Sequence, residues 1–420
     1  MPHPPELLEL DRLLAGRWET RVVPGLERIT RVLARLGNPE TRYPSVLVLG
    51  TNGKGSTAAF LASLLQAMGL RVGLYTSPHL VRVEERIRIN GEPLDSAELL
   101  SWAKRLGRFS ELSYFETLTA AAFGAFAENH VDVAVVEAGL GGRWDATNAK
   151  QHDVALLTNV GTDHQQWLGP TRASIAAEKA AAMRGREGIL GVWDEELVPT
   201  IRAHAGPKTR LTPASHWVVV ETLPAPAGTL AASVRARAFG TEWEAQLPLH
   251  GRYQIENYRL ALAGLAALCH HHFVPEPTAD TLLRGTAATR WPGRLELVSW
   301  KGRRFLLDGA HNAEAVTALA GQLAAAGLSG TLDLVFACLA DKPLATMASL
   351  LRPLVDHVQV VPLASPRARA VTQLAAAFPG CSVAESVAAA LQHARLGRIT
   401  LVTGSLRLVG EALAVLRGRA

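Results

Sequence analysis

Residues 45–56 read SVLVLGTNGKGS, a short apolar run that ends in the glycine-rich turn Gly50–Ser56. The run has the length of a buried strand, and a helical pattern follows from about Ser56 to Met68. Glycines let the backbone of such a turn fold so that successive N–H groups face phosphate oxygens. The N-terminus of the following helix adds a dipole that favours anions. Thr51, Asn52, Gly53, Lys54, Gly55 and Ser56 are therefore expected to hold a nucleotide triphosphate. Lys54 reaches the β- and γ-phosphates in this reading, and the Ser56 hydroxyl takes Mg²⁺. The turn is shorter than GxxxxGK[ST], and Gly55 follows the lysine.

Outward from this unit, apolar runs alternate with helical patterns, which predicts α/β layers around parallel sheets. On the N-terminal side, GLERITRVLARLG (Gly25–Gly37) carries apolar residues at helical spacing. On the C-terminal side, strands are expected at Arg71–Tyr75, Val131–Glu137, Val154–Asn159 and Gly188–Trp193. Between Trp217 and Leu247 the period changes to alternation, which reads as antiparallel strands added at the end of the first sheet. A helix is expected from Ile255 to Cys269. RWPGRLE (Arg290–Glu296) breaks the pattern, and a second β–α series starts after it. Its strands are expected at Phe305–Asp308, Leu332–Ala337, Val358–Val361 and Ile399–Thr403, with a helix over Ala315–Gly327. The fold class is thus α/β: a P-loop ATPase domain over 1–292, with a mostly parallel sheet plus a small antiparallel sheet, then a Rossmann-like domain over 293–420. The second unit has no GxGxxG turn after its first strand, so a dinucleotide is not indicated there.

Bulk properties agree with a folded two-domain chain. It has 420 residues, 48% hydrophobic and 19% charged, which excludes disorder as a reading of the whole. No uncharged apolar stretch reaches about 18 residues, so no membrane span is expected. The N-terminus, MPHPPELLELDRLL, is acidic where a signal peptide would be basic, which predicts a cytoplasmic protein. Cys269, Cys338 and Cys381 lie far apart and form no CxxC pair, so they read as free thiols. The net charge of +5 allows nucleic-acid binding, although the basic residues are scattered and not clustered with aromatics, and it also suits anionic small substrates; composition alone does not choose between the two. His270–His272 resemble a metal tract but have no partner cluster in the sequence.

Three further runs end expected strands: TSPHLVRVEERIRING from Thr76, VVEAGLGGRWDATN from Val135 and TNVGTDHQQWLGPT from Thr158. In open α/β sheets the carboxyl edge binds ligands. Ser56, Ser77, Glu137 and His164 are therefore candidates to converge on divalent metal.

The chain resembles the folylpolyglutamate synthases and the bifunctional dihydrofolate synthase/folylpolyglutamate synthases of bacteria, within the Mur ligase superfamily. GTNGKGS, SPHLVRVEERIRING, YFETLTAAAF, EAGLGGRWDATN, TNVGTDHQQWLG, AEKA, PGRLE and DGAHN carry the resemblance, in order from Gly50 to Asn312, and GLER and TGSLRLVG extend it. The resemblance implies ATP-dependent ligation of L-glutamate to dihydropteroate and reduced folates through an acyl phosphate. It implies two Mg²⁺ ions, one on Ser77, Glu137 and His164 and one on Ser56 with the nucleotide. It makes Lys54, His164 and Lys179 the catalytic side chains, with Lys179 carbamoylated as a further metal ligand. It places Asn257, Arg294 and Asp308 on ATP. It assigns substrate contacts to Arg82, Phe115, Glu116, Asp145, Ala146, His311 and Ser405, with Phe115 as a flat plate and Asp145 as a bidentate acceptor for a pterin. The lack of an obvious exposed apolar face in the sequence suggests a monomer, and no nucleic-acid or membrane partner is expected.

Two departures stand out. HNP becomes His311-Asn312-Ala313, and AEKA is followed by Ala181, Ala182 and Met183. Glutamate extension alone is the alternative activity. A Mur enzyme acting on a nucleotide-linked peptide would need an N-terminal domain, yet about 45 residues precede the turn. A P-loop kinase or GTPase would explain Gly50–Ser56 but not the second unit, the AEKA lysine or the DATN turn.

Overall fold

The computed structural model describes residues 9, 10, 12–14, 24–224 and 228–418. The N-terminal stretch read above as cytoplasmic thus lies mostly outside the described residues. The first sheet contains β1 (Ser45–Leu49), β2 (Val72–Tyr75), β3 (Ile87–Ile89), β4 (Glu92–Pro93), β5 (Val133–Glu137), β6 (Val154–Leu157), β7 (Glu187–Leu190) and β8 (Arg210–Pro213). Their order is β4-β3-β2-β5-β1-β6-β7-β8. The six strands from β2 to β8 are parallel, and β3 and β4 add an antiparallel edge.

Strands β1, β2, β5, β6 and β7 are buried along their whole length, as a parallel sheet covered on both faces requires. Phe60, Leu64, Tyr258 and Leu262 fill one face, whereas Trp102, Leu118, Phe123 and Ile175 fill the other. β1 sits between β5 and β6, with Val48 beside both Glu137 and Leu156. Their carboxyl ends therefore open into one crevice, and the turn after β1 lies in its middle.

The alternation between Trp217 and Leu247 does not extend this sheet. It forms a separate antiparallel sheet of β9 (Val219–Leu223), β10 (Ala232–Ala238) and β11 (Thr241–Leu247), in the order β11-β10-β9. The sheet end that it was expected to occupy is taken by β8, whose sequence RLTP is too short and polar to stand out. β10 buries Ala232, Val234 and Ala236 and turns Arg235 and Arg237 outward to Glu244 and Glu242. The helix Tyr253–His270 lies against this sheet, with Trp243 Nε1 donating to the Tyr258 hydroxyl at 3.1 Å.

The second sheet contains β12 (Glu296–Trp300), β13 (Arg303–Leu307), β14 (Leu332–Phe336), β15 (Val355–Val360), β16 (Ser382–Val383) and β17 (Ile399–Thr403). Its order is β12-β13-β17-β14-β15-β16, and only β12 is antiparallel. β12 and β16 were not anticipated, because neither has the apolar run of an interior strand. Phe305, Phe336, Leu401 and Leu408 form this sheet's core. The helix expected from Ala315 starts at Ala313, where Asn312 Oδ1 accepts the Ala315 amide at 2.8 Å as its cap.

Between the sheets, Leu295 is fully buried at φ +46°, a left-handed conformation that is rare without glycine. Its amide donates to Asp308 Oδ2 at 3.0 Å and its carbonyl pairs with His250 Nδ1 at 2.9 Å. The histidine tract is structural: His271 Nε2 lies 3.1 Å from Glu187 Oε1, which Arg210 also holds. The three cysteines are free thiols. Among the described residues no helix is long and apolar enough to cross a membrane.

Candidate active site

At the end of β1 the chain turns through Gly53, at φ +85°, into the helix Lys54–Ala67. A Cβ on Gly53 would lie 2.3 Å from Asn257 Oδ1, so the side chain of Asn257 is seated directly on the turn. Trp291, from the link between the sheets, lies against Gly55 in the same way. Substituting Gly53 by Ala both strains the backbone and displaces Asn257. We expect a loss of about 1–3 kcal/mol in stability together with weaker ATP binding, measurable by denaturation and by nucleotide titration.

Asn52 and Thr51 anchor the turn to the loop after β6. The Asn52 amide donates to Asn159 Oδ1 at 3.0 Å, its carbonyl accepts from Thr158 Oγ1 at 2.6 Å, and Thr51 Oγ1 accepts from the Gly161 amide at 2.9 Å.

Two lysines share one acceptor here. Lys54 Nζ donates to the Gly50 carbonyl at 3.1 Å, and Lys179 Nζ, from the helix Arg172–Ala180, donates to the same oxygen at 3.0 Å. Lys179 is buried, with only 4% of its surface exposed. Burial, and then the charge of Lys54, lower its pKa to about 7. Its amine is therefore substantially neutral near neutral pH.

Glu137 ends β5 in the same crevice, with Oε2 accepting the Ser77 amide at 3.1 Å. Burial raises its pKa against the opposing pull of Lys54, the Ser77 amide and Arg294. His164 has φ +56°, again left-handed, at the head of the short helix Gln165–Leu168. Burial pushes its pKa down against the attraction of Asp163. Among the described residues no three His, Cys, Asp or Glu side chains gather as a metal site. The expected set takes only Glu137 and His164 from those types and completes itself with Ser56, Ser77 and Lys179. The hydroxyl and carboxylate oxygens of this set suit Mg²⁺ or Mn²⁺, and the His164 imidazole is its one nitrogen donor besides the Lys179 amine.

The second sheet reaches into the crevice through the turn after β13 and the turn after β14. Asn312 Nδ2 donates to Asn52 Oδ1 at 3.0 Å and to Asp163 Oδ2 at 3.1 Å. Lys342, 5% exposed, donates to Asp163 Oδ1 at 2.9 Å. Burial would raise the Asp163 carboxyl, but His164, Lys342 and Asn312 together hold it well below the usual carboxylate range. His311 Nδ1 is 2.7 Å from the Gly309 carbonyl, and burial lowers its pKa to about 4, so it is neutral. Arg294 lies along Gly309, near both Glu137 and Asp308. Asp163, Lys342, Asn312 and Trp291 were not singled out from the sequence. Asp163, Asn312 and Trp291 lie within the runs TNVGTDHQQWLGPT, DGAHN and RWPGRLE but nothing local gives them partners, and Lys342 lies outside every such run.

Several expected substrate or nucleotide contacts have structural tasks. Glu116 closes a capping box with Ser113 and accepts from Arg28 Nε at 3.1 Å. It is 5% exposed, so it holds the helix Tyr114–Glu128 and does not face open space. Asp145 accepts the Leu140 amide at 2.7 Å and the Thr147 amide and hydroxyl at 3.0 and 2.5 Å, with the Gly139 amide nearby. A carboxylate accepts about four hydrogen bonds, so the bidentate pterin contact is not offered in this conformation; Asp145 shapes the turn instead. Ala146 is buried as the first residue of the following 3₁₀ turn. Arg82 donates to Glu84 and Ser96, at 2.6 and 2.9 Å. Asp308 accepts the Leu295 and Ala310 amides, and so holds the link between the sheets. Ser405 caps the helix Leu406–Leu416. The Phe115 ring packs on Gly139, and its centroid is 6.0 Å from that of Tyr75.

Residues 48–265 match the Mur ligase middle domain, and residues 293–406 match the Mur ligase glutamate ligase domain. The first match alone covers half of the chain. The chain belongs to the Mur ligase family. This Mur ligase is 36% identical to the dihydrofolate synthase/folylpolyglutamate synthase of Mycobacterium tuberculosis, over 90% of its own length and 83% of that protein. It is similar to the structure of Escherichia coli FolC in complex with DHPP and ADP, with TM-score 0.86, 32% identity and coverage of 99% and 100% of the two chains. It is likewise similar to the Yersinia pestis bifunctional folylpolyglutamate synthase/dihydrofolate synthase complexed with AMPPNP and Mn ion, with TM-score 0.83, 30% identity and coverage of 99% and 100%.

Proposed function

We propose that this chain uses ATP to join L-glutamate to dihydropteroate and to folylpolyglutamates, and is thus a dihydrofolate synthase and a folylpolyglutamate synthase in one. The observation that carries the proposal is the meeting of the turn Gly50–Ser56, Lys179 and the second unit's Gly309–Asn312 turn in one crevice. The family match and the bifunctional relatives support the choice of substrates.

A carboxylate acylates amines poorly, because its leaving group would be oxide. Transfer of the γ-phosphoryl group breaks the bond to ADP and makes a bond to a carboxylate oxygen. The glutamate nitrogen then attacks the carbonyl carbon, loses a proton, and phosphate leaves with that oxygen. Lys54 and the turn amides hold the phosphates and neutralise the charge that accumulates there. Arg294, at the junction of units 1–292 and 293–420, presents a planar fork for phosphate. Ser56, Ser77, Glu137 and His164 would hold two Mg²⁺ ions, with Lys179 as a carbamate, and the ions would supply further charge neutralisation. Asn257 backs the nucleotide turn. Phe115 offers the apolar plate, and His311 and Ser405 stand on the side from which glutamate enters. Free thiols and ATP dependence suit a cytoplasmic protein, and in this reading it acts as a monomer.

The route is tested with dihydropteroate labelled with ¹⁸O in its carboxyl group. An acyl phosphate leaves one ¹⁸O in each inorganic phosphate released. Unlabelled phosphate would exclude that intermediate.

A further inference from the structure

Asn52 is shared. It belongs to the nucleotide turn, yet both ends of its side-chain amide are engaged by the second unit. Its Oδ1 accepts from Asn312 Nδ2 at 3.0 Å, and its Nδ2 donates to Glu314 Oε2 at 3.4 Å. The other oxygen of Glu314 accepts the Thr162 amide at 3.0 Å, on the loop that carries Asp163 and His164. Gly161 is shaped to this contact, since a Cβ there would lie 1.7 Å from Glu314 Oε2. Glu314 stands in the first turn of the helix Ala313–Ala325 and is exposed on its outer side. Its carboxylate meets the Asn52 side chain and the Thr162 amide.

We propose that Glu314 is a positioning residue that docks the second unit onto the nucleotide turn, so that glutamate meets the acyl phosphate before water does. The inference rests on the ligase reading above. The acid is activated on the first unit, whereas the Gly309–Asn312 turn on the glutamate side belongs to the second. Loosening the dock leaves activation intact and exposes the acyl phosphate to hydrolysis. The product of that side reaction is phosphate and the original acid, with no amide formed.

The measurement is phosphate released per glutamate incorporated, with ATP, Mg²⁺, dihydropteroate and radiolabelled glutamate. The unmodified enzyme gives a ratio near one. Glu314→Ala raises the ratio several-fold, by up to about tenfold for loss of hydrogen bonds to a charged acceptor. Gly161→Ala raises it likewise from the other unit, because its methyl group expels the carboxylate. Gly161 has no positive φ, so the backbone accepts alanine. In the Glu314→Ala background the Gly161 substitution adds nothing further, because the group it collides with is gone. Circular dichroism of each variant shows that it is folded. A ratio that stays near one in both single variants, or independent additive effects in the double variant, overturns the docking role. No glutamate incorporation by the unmodified enzyme would instead overturn the ligase reading.

Discussion

Replacing Lys54 with alanine lowers turnover by at least about a thousandfold, while the protein keeps its fold. In the structure its ammonium is folded back on the carbonyls of Gly50 and Thr51, at 3.1 and 3.2 Å. Those carbonyls are weak partners that nucleotide phosphates replace with full charges. Transfer of a phosphoryl group concentrates negative charge on the β,γ-bridge and its neighbours, and catalysis of that step is mostly electrostatic. The core below the turn is made by Phe60, Leu61 and Leu64, not by Lys54, so stability changes little. Initial rates of ADP formation, with a thermal melt as control, provide the measurement. A variant within tenfold of the unmodified rate would remove Lys54 from the phosphate site.

The second large effect concerns Lys179. Replacement by methionine, which keeps most of the unbranched apolar stem but lacks the amine, lowers activity by about a hundredfold, the order seen when support of a metal site is lost. A lysine reacts with CO₂ only as the free amine. The pKa of about 7 keeps that form abundant, whereas a solvated lysine would be almost wholly protonated. Carbamoylation would place an anion next to Lys54, so that the charge of Lys54, which after burial lowers the pKa of the amine, would attract the modified side chain. ¹³C-bicarbonate should therefore give a carbamate resonance in the unmodified protein and none in Lys179→Met. Its absence from both would leave Lys179 as an amine.

The same group predicts how stability depends on pH in bicarbonate-free buffer. Its pKa is about 7 folded against 10.5 for the ordinary side chain, so between those values the unfolded chain binds more protons. Stability contributed by this site therefore rises with pH from about 7 to 10.5 and is level outside that window. Lys179→Met should flatten that rise. An unchanged slope would place the titration elsewhere.

What could be read from the sequence was what is local. The turn Gly50–Ser56 was legible because a strand, its glycines and a helix all lie within about twenty residues. Ile399–Thr403 was found to the residue, since an interior parallel strand is a continuous apolar run. Lys179 was not legible as buried, because the oxygen and the lysine that define its environment come from the far turn at Gly50–Lys54. The same holds for Asn52 with Asn312 and Asp163 with Lys342, which pair two sheets that meet only in the folded chain.

Some local signals were present but outweighed by the resemblance. Ser113 followed by Glu116 is a capping box in plain sequence, and Asp145 followed by Thr147 is a side-chain-stabilised turn. Both carboxylates had been expected to face substrate. Burial of each with several internal donors shows that a shared motif can mark the shape of a site as well as its contacts.

The central claim is ligation of glutamate to pteroyl acids, and ADP formation by the purified protein tests it most directly. The assay contains Mg²⁺, ATP and L-glutamate, with dihydropteroate in one series and a reduced folate in the other. The account predicts glutamate-dependent turnover with both acids, each giving one new amide per ADP. Turnover with the folate alone would restrict the chain to polyglutamate synthesis. Turnover with neither would contradict the account.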